Sequence, residues 1–64
     1  MTAESDSYSP KNSEKYERIL RFMRTASGSE NLRVITLMYI LDMSYAREDI
    51  SAALHFVERE KGFR

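Results

Sequence analysis

Sixty-four residues with no cysteine and a single histidine, His55, make one small domain and exclude disulfides, thiolate chemistry and a histidine-built metal site. Ten basic residues balance ten acidic ones, and this zero net charge argues against strong nonspecific attraction to nucleic acid or anionic membrane. So short a chain buries only a modest fraction of its surface, and with staples and metals excluded, oligomerisation or partner binding is the remaining aid to stability.

Residues 1–12 are polar and serine-rich, with Tyr8 the lone aromatic. They offer little to bury against the entropy of ordering, so a flexible, dispensable tail is expected. Ser9-Pro10 is common as a phosphorylation dipeptide and reads better as a helix start with Pro10 at the first helical position. The acidic N-terminus lacks a basic region followed by an apolar one, so no signal peptide is expected and the chain reads as cytoplasmic, or nuclear in a eukaryote.

The first helix is expected over residues 13–26. Tyr16, Ile19, Leu20 and Met23 recur at i, i+3, i+4, i+7, the spacing of one buried face. Glu14–Arg18 and Glu17–Arg21 are acid-then-base pairs at i, i+4. Ser13 or Ser9 is the expected cap, and Gly28 the expected left-handed stop. This region is mildly basic: residues 11–33 carry Lys11, Lys15, Arg18, Arg21, Arg24 and Arg33 against Glu14, Glu17 and Glu30.

The second helix is expected over residues 30–43, with capping-box spacing from Ser27 to Glu30. Its run Leu32–Leu41 has 8 apolar residues in 10. A surface helix shows one apolar stripe; this one is apolar nearly all round and needs cover on several sides, with Leu37 in mid-run taken as core. The β-branched Val34, Ile35 and Thr36 would suit a strand over Val34–Tyr39 in an oligomer, but the chain offers such a strand no partner. The run is too short to span a bilayer.

Met43 to Ala46 connect to a third helix over residues 47–61. Ile50, Ala53, Leu54 and Val57 repeat the buried-face spacing. Glu48 and Asp49 in the first turn and Arg59 and Lys61 in the last suit the helix dipole. Gly62 stops the helix, and Phe63 can fold back on Val57. The expected architecture is all-α, a small three-helix bundle or open helical hairpin with antiparallel neighbours.

Two stretches resemble known families. Leu37-x-x-Ile40-x-x-Met43-Ser44-Tyr45-Ala46-Arg47-Glu48 followed by Ala53-Leu54 resembles the first two helices of ubiquitin-associated domains, with Ser44 where that family has glycine. The resemblance implies a ubiquitin-contacting loop at Met43 and Tyr45, and the chain ends before that family's third helix could form. Phe56-Val57-Glu58-Arg59-Glu60-Lys61-Gly62-Phe63 resembles a winged-helix recognition helix, without the hairpin wing that should follow it.

No catalytic constellation, phosphate loop or metal-ligand spacing is present, so no enzyme activity, cofactor or metal is expected. His55 shares the polar side of the third helix with Ser51 and Arg59 and reads as solvent-exposed. Phe22, Met38, Tyr39 and Phe56 fall off the buried stripes and, with Met43 and Tyr45, form the expected partner-binding set. The expected function is a small non-enzymatic regulator or adaptor that binds protein and self-associates as a dimer. The alternative is a helix-turn-helix DNA-binding regulator. Its contacts would be Arg18, Arg21 and Arg24, helped by Lys11 and Lys15, together with Arg47 and Arg59 on the third helix's exposed face, where Ser51 and His55 also lie. Glu48, Asp49, Glu58 and Glu60 oppose it by repelling phosphates.

Overall fold

Asn12 begins the fold. Its backbone is extended and its side chain accepts the Lys15 N–H at 3.0 Å, starting α1 (Ser13–Met23). The cap is therefore neither Ser9 nor Ser13, and Pro10 precedes the helix rather than opening it. The computed structural model describes residues 8–63, and two further helices follow, α2 (Ser29–Leu41) and α3 (Arg47–Lys61). Among these residues there is no strand, so Val34–Tyr39 is helical.

α1 ends three residues before the expected Ala26. Beyond Met23 the chain tightens into i→i+3 bonds, Thr25 N–H to Phe22 O at 3.1 Å and Ala26 N–H to Met23 O at 3.0 Å, which drop Ala26 into the core. Gly28 is extended (φ −169°), not left-handed, and serves as the N-cap of α2. The capping-box reading is shifted by one: Asn31, not Glu30, reaches back, its Oδ1 accepting the Ser27 N–H at 3.3 Å. α2 stops at Leu41 rather than residue 43, because the Asp42 carboxylate accepts from Ser44 N–H at 3.2 Å and Ser44 Oγ at 2.8 Å and turns the chain. α3 keeps its expected bounds. Gly62 (φ 75°) stops it in the left-handed conformation, and the Phe63 N–H bonds Glu58 O at 3.0 Å, a Schellman closure that lays Phe63 on the core.

Ile19, Leu20 and Met23 of α1, Leu32, Ile35 and Tyr39 of α2, Ile50, Ala53 and Val57 of α3, and Ala26 between them form one core. α1 packs most extensively on α3. The stripes expected in α1 and α3 are the ones buried, with Tyr16 and Leu54 partly covered.

In α2 two expectations are overturned. Leu37 is 51 % exposed, whereas Tyr39, expected on the surface, is 8 % exposed and part of the core. Thr36 is buried alongside it, its hydroxyl satisfied by Leu32 O at 2.8 Å.

The expected tail boundary at residue 12 also moves. Residues 8–12 lie against the bundle, with the Tyr8 hydroxyl and the Lys11 and Asn12 N–H groups all donating to Asp49. The expectation for residues 1–7 lies outside the described residues. No helix among the described residues is long and apolar enough to cross a membrane.

Candidate protein-docking face

α2 carries two apolar stripes. Leu32, Ile35, Thr36 and Tyr39 turn inward; Val34, Leu37, Met38 and Leu41, at i, i+3, i+4, i+7, turn outward. The outward residues are each more than half exposed, and Met43 just beyond the helix is 92 % exposed. Phe22 on α1 is 43 % exposed, its ring meeting the inward-facing Tyr39 edge-on at 6.0 Å.

The turn presenting Leu41 and Met43 is held from several sides. Asp42 binds Ser44 as described, and those hydrogen bonds keep its carboxyl below the usual carboxylate range. Lys15 Nζ donates to Ser44 O at 2.6 Å and stands 5.4 Å from the centre of the Tyr45 ring. Arg18 pairs with the Tyr45 side chain, which raises its already high pKa further. The Tyr45 ring packs on Tyr39, edge to face at 4.8 Å. The two most exposed large apolar side chains of the described residues therefore project from a braced turn, so little backbone ordering entropy remains to be lost when they are covered.

Of the six expected partner-binding residues, Met38 and Met43 belong to this face, and Phe22 is exposed on α1 beside Tyr39. Tyr39 lies beneath it as core. Tyr45 is half-buried and braces the turn. Phe56 is half-buried elsewhere, in a hollow of about 270 Å³ between α1 and α3 lined also by Tyr16, Glu17, Leu20 and Arg24. Val34, Leu37 and Leu41 are additions the sequence reading missed; the signal was a second i, i+3, i+4, i+7 series inside the same apolar run.

Of the five candidate nucleic-acid contacts, Arg18, Arg21 and Arg24 lie in or at the end of α1, and Arg47 and Arg59 in α3. Arg24 is bound to Glu60 through two hydrogen bonds of 2.9 and 3.2 Å, and its guanidinium lies 5.5 Å from the Phe56 ring centre. Arg18 is engaged with Tyr45. Arg21 is exposed on α1. Arg47 and Arg59 stand at opposite ends of α3, about 18 Å apart along its axis. His55 is exposed as expected, 3.6 Å from Glu58.

Asp49 is the residue whose surroundings were least anticipated. It is 1 % exposed, yet every polar atom of its carboxylate is supplied with donors by residues 8–12. Among the described residues no group of three or more His, Cys, Asp or Glu side chains is placed to hold a metal ion. The chain matches no protein-family model, no curated protein and no solved structure.

Proposed function

We propose that this protein is a non-enzymatic adaptor or regulator that binds another protein chain through the outer face of α2. The observation that carries this reading is the second apolar stripe, Val34, Leu37, Met38 and Leu41, left uncovered on a helix whose opposite stripe already fills the core. Each fully exposed side chain of this kind contributes about 1.5–3 kcal/mol when buried, so covering half of each of four contributes several kcal/mol. A helix face with anchors at i, i+3, i+4 and i+7 suits helix-in-groove or helix-on-helix recognition. Met38 and Met43 add unbranched, adaptable contacts.

The DNA-binding alternative is weaker. Arg18 is already engaged with Tyr45 and Arg24 with Glu60, and the exposed surface of α3 sets Glu48 and Glu60 among Arg47 and Arg59.

The test compares wild type with Leu37→Asp and Leu41→Ser as affinity baits, followed by calorimetric titration of any purified partner. Partners retained by wild type and lost by both variants, with helicity unchanged, support the reading. Partners retained equally by all three baits refute it.

A further inference from the structure

We propose that the chain covering the α2 face is a second copy of this protein, packed α2 against α2, antiparallel, about a two-fold axis between Leu37 and Met38. This rests on the reading of that face as a docking surface and names its occupant.

Area favours a second copy. A standard interface buries about 800 Å² per partner, some 57–65 % of it apolar, and so uses roughly 450–520 Å² of apolar surface on each side. Phe22, Val34, Leu37, Met38, Leu41 and Met43 are 43–92 % exposed and together offer on the order of 400 Å² at the usual area per apolar side chain. The patch thus nearly supplies one side of a standard interface. A two-fold dimer needs nothing else, since it uses the same patch twice.

Charge favours it as well. Net charge is zero, so two copies do not repel at long range.

Charge also selects the direction. α2 has no basic residue in its last turn and ends on Asp42, so its negative end lacks compensation within the helix. A parallel pair would set Asp42 beside Asp42 and Glu30 beside Glu30 and would align the two dipoles. An antiparallel pair instead sets the positive, N-terminal end of one α2 beside the negative end of the other. Val34 then lies level with Leu41 of the second copy, and Leu37 with Met38.

The cysteine-free chain permits a direct test of both parts. Light scattering on the full chain from micromolar to several hundred micromolar should reach twice the 7.5 kDa of one chain. Leu37→Asp, and Leu41→Ser as the gentler control, should hold the one-chain mass with helicity retained. Single cysteines report the direction. Met38→Cys lies beside its own mate at the axis and should cross-link on oxidation. Val34→Cys and Leu41→Cys lie about 10 Å from their own mates along the helix, beyond disulfide reach, and should not. Val34→Cys mixed with Leu41→Cys should cross-link.

A one-chain mass for wild type at the highest concentration overturns the proposal. If Leu37→Asp still abolishes capture of another protein in that case, only the second copy is refuted and the docking face stands. A two-chain mass unchanged by both face variants overturns the proposal, because the copies then meet elsewhere; the docking reading falls with it if capture of another protein is unchanged by those variants too. Cross-linking of Val34→Cys and Leu41→Cys each with itself overturns the antiparallel arrangement.

Discussion

The Tyr8 hydroxyl donates a hydrogen bond to Asp49 Oδ1 across 41 residues of sequence. The same oxygen accepts the Lys11 N–H at 2.9 Å, and Oδ2 accepts the Asn12 N–H at 3.2 Å. The Tyr8 ring lies on Tyr16, centroids 5.4 Å apart. One buried carboxylate in the first turn of α3 therefore fastens the segment entering α1, whose last residue, Asn12, is also the α1 cap.

Removing residues 1–12 should be costly. It deletes the three donors to Asp49 and the Asn12 cap, and replaces those donors with water. Hydrogen bonds to a charged group contribute about 1.5–3 kcal/mol and a cap about 1 kcal/mol, which in a domain of this size lowers the melting temperature by roughly 10 °C or more. Calorimetry on the truncated chain decides it; a melting temperature within a few degrees of wild type would show that the Asp49 contacts contribute nothing.

Stability should fall at acid pH through Asp49. Burial pushes its carboxyl up, but the hydrogen bonds from Tyr8, Lys11 and Asn12 outweigh burial and leave it below its ordinary value. A carboxylate lowered on folding contributes stability that is present above the unfolded value, about 3.9, and is lost as pH falls through the folded one. Asp49→Asn should flatten this acid limb in urea titrations between about pH 5 and 2. An unchanged acid limb would assign it to other carboxylates.

The alkaline limit has the opposite sign. Burial, followed by the hydrogen bond to Asp49, raises the Tyr8 phenol above its ordinary value. Stability from Tyr8 is therefore present below the unfolded value, about 10, and is lost as pH rises beyond it. Tyr16 and Tyr39 are raised as well, chiefly by burial. Ultraviolet titration should show these three phenols ionising later than a free tyrosine, and Tyr8→Phe should remove one of the late steps.

Tyr39→Ala and Leu37→Asp should differ in kind. Tyr39 is core and touches both Phe22 and Tyr45, so truncating it should cost about 3–5 kcal/mol, as for other buried aromatics. Half-exposed Leu37 can carry an aspartate in water, so at concentrations where the wild type is a single chain, Leu37→Asp should leave circular dichroism and thermal midpoint nearly unchanged. Unfolding of Leu37→Asp under conditions where the wild type is monomeric would show that this side chain is core.

Arg24→Ala should cost less than about 1 kcal/mol, because an exposed ion pair of this kind is screened by water, and Arg18→Ala should cost no more than Arg24→Ala. Gly62→Ala should cost about 1 kcal/mol from its left-handed backbone, although nothing lies within 4 Å of the added carbon. Chemical denaturation of the three variants ranks them; a larger loss for either arginine would mean that its contacts, Tyr45 for Arg18 or Glu60 and Phe56 for Arg24, are more than surface decoration.

The buried faces of α1 and α3 were legible in the amino-acid sequence, because each helix has one apolar stripe on an otherwise polar cylinder and only one way to turn. The Gly62 stop and its Phe63 contact were legible for a similar local reason, since a left-handed closure depends on the residues beside it. α2 was legible as a helix but not in its rotation. Leu32–Leu41 contains two equivalent apolar series, and nothing local prefers Tyr39 over Leu37 as core. That choice was made in the tertiary structure, where Tyr39 fits between Phe22 and Tyr45, and Thr36 can be buried because its hydroxyl bonds its own helix. Asp49 was hidden for a different reason. Read locally it is a first-turn acid suited to the helix dipole, and the donors that bury it come from 37 to 41 residues away. Periodicity reports which side chains can share a face; which face meets which, and which charge is enclosed, depends on contacts between elements that only the packed bundle creates.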